Sequence, residues 1–347
     1  MANVRCDLKN IRPRPIRGFL DQNKVIFADT EIGIPVPYII KAMHQSDVYV
    51  NGKLVETFQQ AADILKNISV AVSTPEDFTT KLASIKEGDI VELSTGDYTE
   101  AINIDKPCII KGNPGSNVSG LITITAPNVI LDGLDLTMND KILSIQNDGD
   151  VTLVGCTFKS GSTDVRTPIN IGSGGQVVIE NCVFDDTNGK IYNTIEFDIT
   201  GNKPLKDNTI IRNCKFLGKS KNNTISIYTF EDNANILIEN CYFEYAVNGI
   251  RISNPLNNSA TINIKNCKYD HTTKNKYAGL LMFEDYSKED KVQDFTKIKV
   301  NINNLIGPND KVMKSNVIGG LDDQVYYVYD DQDGIITDHN QPIVTFA

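Results

Sequence analysis

Apolar and polar positions alternate along this chain in short runs, and one run recurs. VVIENCVFD (Val177 to Asp185) has upstream copies in VILDGLDLT from Val129 and VTLVGCTFK from Val151. Downstream copies are TIIRNCKFL from Thr209, ILIENCYFE from Ile236 and INIKNCKYD from Ile262. CIIKGNPGS from Cys108 and VNINNLIGP from Val300 are degraded copies at either end. Aligned, they give four columns. The first is aliphatic: Ile110, Leu131, Leu153, Ile179, Ile211, Ile238, Ile264 and Ile302. The second holds only Gly or Asn: Gly112, Gly133, Gly155, Asn181, Asn213, Asn240, Asn266 and Asn304. The third holds Cys156, Cys182, Cys214, Cys241 and Cys267, flanked by Leu134 and Leu305. The fourth is Leu136, Phe158, Phe184, Phe216, Phe243 and Tyr269.

Side chains on a strand alternate between its two faces. The aliphatic and Cys columns are three apart, so both cannot face inward along one straight strand. A corner between them restores the parity. Gly and Asn enter the left-handed region at least cost, so the second column is that corner. Each copy therefore predicts strand, corner, strand, with the aliphatic, Cys and Phe positions inward. Repetition every two to three dozen residues, with insertions, predicts a stacked solenoid. All-strand repeats of this kind predict an all-β fold, a right-handed parallel β-helix whose coils stack about 4.8 Å apart. The outward column before the corner reads Glu180, Arg212, Glu239 and Lys265, a stack of alternating charge that supports register.

Between the copies run SGLITIT, DKILSIQ, TPINIGS, NTIEFDIT, NTISIYTF, NGIRIS and AGLLMFE. Each precedes the next corner motif, so together they predict a further sheet whose exposed face would form any groove.

Upstream, TPEDFTTKLASIKEG (residues 74–88) predicts a helix. Thr74 is placed to cap it, Pro75 suits its first turn and Gly88 stops it. Phe78, Leu82 and Ile85 form its apolar stripe, which suits a cap over the open end of a solenoid. The run from this helix through GDIVEL and TGDYTEAINIDKPCIIKG resembles the opening of pectin-lyase-like right-handed β-helix proteins. The resemblance covers about residues 74–306. It implies the fold and leaves the activity open, because that superfamily hosts lyases, hydrolases, phage tail spikes and non-enzymatic virion proteins.

The ends differ from the middle. Residues 1–24 form a basic, Pro-containing extended arm with Arg5, Lys9, Arg12, Arg14 and Arg17. Residues 25–73 read as a small α+β anchoring module. Within it DVYVNGKLVE predicts a hairpin at Asn51-Gly52, and Phe58, Ala61, Ala62 and Leu65 follow helical spacing. The β-helix is assigned to 74–307, with its capping helix at 74–88. Residues 308–347 read as a C-terminal β cap, in which VYYVYDDQDGIITD predicts a hairpin and PIVTF a last strand.

The net charge of −10 disfavours general nucleic-acid binding. No run of 18 apolar residues predicts a membrane span. MANVRCDLKN lacks the apolar core of a secretory signal. Five of the seven cysteines fall in the ladder column, which predicts reduced, core-facing thiols. No CxxC pair occurs, and His44, His271 and His339 form no ligand pattern, so neither metal nor cofactor is implied.

For function, the arm, the small module and the displayed solenoid lead to an expectation of a non-enzymatic bacteriophage virion protein made in the host cytoplasm. Such a protein would be a head-decoration, fibre or tail-associated component. Its arm would lie on an acidic surface of another virion protein, and β-helical fibres suggest a homotrimer by analogy. The alternative is a tail-spike-type protein that binds or cleaves a host-surface glycan. Glycoside hydrolysis needs two carboxylates roughly 5 to 9.5 Å apart. Glu196 and Asp198, two apart in NTIEFDIT, are the candidates, with Glu231, Asp232, Glu284 and Asp285 nearby and Arg251 as a lyase-type base. The chain has no Trp to stack on sugar rings, which weighs against catalysis.

Overall fold

The computed structural model describes residues 48–50, 53–55 and 69–347, apart from 147–148, 173–174, 198–203, 219–220, 246, 272–277, 286–292, 320–321, 323, 331–333 and 338–339. The basic arm and most of the N-terminal module, Phe58 to Leu65 included, lie outside the described residues. Val48–Val50 and Lys53–Val55 pair antiparallel, as the Asn51-Gly52 signal predicts.

From Asp89 to Asn303, successive strands fall in turn into three long sheets, so that every third strand returns to the same sheet. Among the described residues the sheets have eleven, eight and ten strands. Their pairing is parallel throughout, except where Gly334–Ile336 turns back on Tyr326–Asp330. This all-β arrangement is compatible with a β-helix. The eleven-stranded sheet also takes in Ser69–Val72 and Ile343–Phe346, beyond both ends of the recurring motif.

The columns become ladders. Leu131, Leu153, Ile179, Ile211, Ile238, Ile264 and Ile302 pair in register up the eleven-stranded sheet. Phe158, Phe184, Phe216 and Phe243 stack face to face in the eight-stranded sheet, with ring centroids 4.7–4.8 Å apart. Strand spacing sets that distance, because identical side chains one coil apart adopt the same rotamer. Burying each such side chain contributes roughly 1.5–3 kcal/mol.

At the corner column, Asn181, Asn213, Asn240, Asn266 and Asn304 have φ of 52–55°, and Gly133 and Gly155 have φ of 64° and 63°. The Asn240 amide donates to Asn213 Oδ1 at 3.2 Å, and Asn304 to Asn266 Oδ1 at 3.0 Å. Gly112 is an exception. It lies within the strand Cys108–Gly112, and the left-handed residue of that coil is Gly115, φ 82°. Gly112 is glycine for lack of space instead: a Cβ there would lie 2.4 Å from the Gly133 carbonyl oxygen.

Cys108, Cys156, Cys182, Cys214, Cys241 and Cys267 are buried free thiols. In the ladder each Sγ lies within reach of two carbonyl oxygens, one two residues earlier and one in the preceding coil, as Cys182 does with Glu180 O at 3.3 Å and Leu153 O at 3.6 Å. Burial, reinforced by the neighbouring thiols, holds Cys182 well above the ordinary thiol pKa. Burial also pushes Cys108 up to about 12.

The helix spans Asp77–Ser84, shorter than its sequence pattern. Thr74 does not cap it; its hydroxyl binds the Glu76 carboxylate and helps the backbone N–H hold that group below its usual pKa. The chain leaves the helix at an extended Ile85, which turns into the core. Phe78 packs edge-on against Tyr98 at 5.5 Å, and Phe78, Leu82 and Ile85 join the buried cluster at the first coils.

Candidate functional site

All seven linking segments predicted to share a sheet do so. They contribute Ile122–Ile124, Leu143–Ile145, Ile169–Ile171, Asn193–Phe197, Asn223–Ile227, Asn248–Ile252 and Gly279–Asp285 to the ten-stranded sheet. The expectation of an open groove on its outer face is not met in the later coils. Every residue of the last four of these strands is buried.

Glu196, Ser226, Arg251 and Met282 stand in one register row of that sheet. Ile195 and Phe197 on either side of Glu196 point into the core, so by alternation Glu196 points outward, yet it is only 1% exposed. Its Oε1 accepts the Asn193 amide at 2.7 Å and the Tyr228 hydroxyl at 3.4 Å. Arg251 Nη1 donates to the Tyr228 hydroxyl oxygen at 3.1 Å, and its guanidinium carbon lies 4.7 Å from the Tyr228 ring centroid. The other side of the guanidinium, Nε, pairs with Glu284 Oε2. The result is a continuous relay of Glu196, Tyr228, Arg251 and Glu284 across the face. An amide ladder runs alongside. Asn248 Nδ2 donates to Asn223 Oδ1 at 3.2 Å, Asn223 Nδ2 donates to Asn193 Oδ1 at 3.3 Å, and Tyr327 closes the row by donating to Asn248 Oδ1 at 2.7 Å.

The structure thus gathers Glu196, Arg251 and Glu284 into one buried network. Glu196 and Glu284 stand three strands apart, and the Tyr228 hydroxyl and the Arg251 guanidinium bridge the space between their carboxylates. Arg251, bonded to Tyr228 and Glu284, is committed as a counter-ion and is a poor candidate for a base. Asp198 lies outside the described residues. Glu231 is elsewhere, ion-paired with Lys206. Asp232 binds the Ser259 backbone N–H and hydroxyl at 2.8 and 2.7 Å, which holds its carboxyl below the usual range. Asp285 accepts the Gln293 N–H at 3.0 Å. Tyr228 and Asn193 were not singled out in the sequence. Tyr228 shares the parity of Ser226, and that was the available signal.

On the outer surface, a shallow groove of about 380 Å³ follows the corners, lined by Asn181, Asn213, Asn240, Lys215, Tyr242 and Lys268. Nearby, the expected charge stack forms at Glu180 and Arg212, 2.9 Å apart, with side chains only 10% and 17% exposed. Among the described residues no group of three or more His, Cys, Asp or Glu converges to hold a metal ion.

No protein-family model, curated protein or solved structure matches the chain.

Proposed function

We propose that this chain is a non-enzymatic structural protein of a bacteriophage virion, a right-handed parallel β-helix of the pectin-lyase-like type held to its particle by the N-terminal arm and module. The observation that carries the non-enzymatic part is the state of the ten-stranded sheet. Its ionisable side chains are buried and tied to one another: Arg251 is 3% exposed and Glu284 8%. A polymeric sugar would have no access to that face, and the Tyr228 hydroxyl and the Arg251 guanidinium occupy the space between the two carboxylates. What remains is a ladder-stabilised rod. The virion assignment rests on the sequence: a basic arm, Arg5 to Arg17, precedes an otherwise acidic chain and suits an acidic protein surface.

The second reading is a polysaccharide-cleaving or -binding spike, favoured by the gathering of Glu196, Tyr228, Arg251 and Glu284 on one face. Two experiments separate these readings. Incubation with a panel of capsular and pectic polysaccharides is expected to release no new reducing or unsaturated ends; release that disappears in Glu196→Gln would establish the second reading. Deletion of residues 1–24 is expected to abolish incorporation into particles while leaving the rod folded. Undiminished incorporation would remove the anchoring role.

A further inference from the structure

Ile90, Ile109, Ile130, Thr152, Val178, Ile210 and Leu237 stand side by side on successive strands of the eleven-stranded sheet. They alternate with Val91, Ile110, Leu131 and Leu153, which point into the core, so the row faces outward. Its exposure is uneven. Thr152, Val178, Ile210 and Leu237 are half-buried, as a sheet face open to water leaves them. Ile90, Ile109 and Ile130 are 7%, 1% and 5% exposed. All three stand outside the core cluster, so the core is not what buries them. Asp132 lies two residues past Ile130 on the same face. Burial raises its carboxyl above the ordinary range, against the opposing pull of Lys111.

The outer face is therefore covered over its first three strands from Asp89, and the cover stops short of Thr152. These are the exposures of a single chain, so the cover belongs to it. Among the described elements, those packed closely on Asp89–Leu93, Cys108–Gly112 and Val129–Asp132 are their neighbours in the sheet. The cover must come from elsewhere in the chain.

Residues 56–68 are placed to supply it. They join Val55 to Ser69, and Ser69 pairs with Ile90 at the near edge of the covered patch. Leu65 is four residues from Ser69, a reach of at most about 14 Å. Phe58, Ala61, Ala62 and Leu65 follow helical spacing and would form one apolar stripe, with Gln60, Asp63 and Asn67 away from it. From Phe58 to Leu65 such a stripe is about 10 Å long at 1.5 Å per residue. From Ile90 to Ile130 the patch is also about 10 Å, two strand spacings of about 4.8 Å. We propose that residues 56–68 lie as a helix across this face, with Phe58, Ala61, Ala62 and Leu65 on Ile90, Ile109 and Ile130, and so clamp the N-terminal module to the rod. Leu65 lies toward Ile90 and Phe58 toward Ile130. The module then turns with the rod as one body, whether or not its arm holds a particle.

Thiol labelling of the full chain tests this. The six described cysteines are buried, so in a Cys6→Ser background an introduced cysteine reports alone. With a maleimide under native conditions, Ile109→Cys is expected to react about tenfold or more slowly than Leu237→Cys, its open counterpart in the row. Ala62→Cys is expected to be protected and Gln60→Cys, on the far side of the stripe, to react freely. Phe58→Asp and Leu65→Asp together are expected to bring the rate of Ile109→Cys up to that of Leu237→Cys, with the circular-dichroism signal of the strands retained. Deleting residues 1–47 is expected to leave the protection in place. Equal rates for Ile109→Cys and Leu237→Cys, or for Ala62→Cys and Gln60→Cys, overturn the proposal. Protection that survives the two aspartates, disappears with residues 1–47 or fades on dilution overturns it too, since another segment or a second copy is then the cover. The comparison of Ala62→Cys with Gln60→Cys decides the matter if the two aspartates unfold the chain.

Discussion

Arg251 and Glu284 form an ion pair on the outward face of the ten-stranded sheet, on adjacent strands two residues out of register and both almost completely buried. Removing one member of such a pair leaves the other charge in a poorly solvated place. Arg251→Ala is therefore expected to cost roughly 3–5 kcal/mol. Replacing both by apolar residues of similar size is expected to cost much less. Urea unfolding of the single and double variants checks this, and a double variant as unstable as Arg251→Ala would contradict it.

Phe216 lies between Phe184 and Phe243 with centroid distances of 4.7 and 4.8 Å. Phe216→Ala opens a cavity in the middle of the stack and is expected to destabilise by about 3–5 kcal/mol. Phe216→Leu keeps most of the volume and is expected to lose under about 1.5 kcal/mol. Similar losses for the two variants would mean that the stack is not what the core depends on there.

Asn213 separates a backbone requirement from a side-chain one. Its φ is 54°, and its Oδ1 accepts the Asn240 amide. Asn213→Ala loses both the tolerance for that conformation and the amide contact, and about 1–2 kcal/mol is expected. Asn213→Gly keeps the conformation and is expected to fall within about 1 kcal/mol of the parent. Chemical denaturation midpoints decide the order, and an Ala variant as stable as the Gly variant would refute the corner assignment.

A buried thiol outside the ladder sets an alkaline limit. Burial raises Cys108 from 9.0 to about 12 in the folded protein. Between those values the folded chain holds protons that the unfolded chain releases. The stabilisation is therefore complete below pH 9 and is lost as pH climbs toward 12. Melting temperature measured in steps from neutral to strongly alkaline buffer is expected to fall through that window, and that of Cys108→Ala to fall less steeply. A flat profile would argue that Cys108 ionises freely in the folded state.

Much of this architecture is legible locally. Parity along a strand, together with a column restricted to Gly and Asn, is enough to infer a corner and hence a coil, and the Phe158 to Phe243 stack follows from it. Gly112 shows the limit of reading by column, because glycine there answers the nearby Gly133 carbonyl and the turn falls three residues later. Burial of Glu196 was not legible either. NTIEFDIT alternates like any half-exposed strand, and whether its polar face meets water depends on chain remote in sequence. The continuation of the sheets past Pro308 was hidden for a related reason. Tyr326–Asp330 and Ile343–Phe346 pair into the stack without the corner and Cys signature that marks earlier coils.

The ladders also bear on how the chain reaches its native state. In the coils from Asp89 to Asn303, each strand pairs with strands one coil before and one coil after it, never with distant parts of the solenoid. Ordering one coil prepares a template for the next, so folding can spread from wherever it begins instead of waiting for remote segments to meet. A chain built this way can gain structure in step with its synthesis, coil upon coil behind the helix at Asp77.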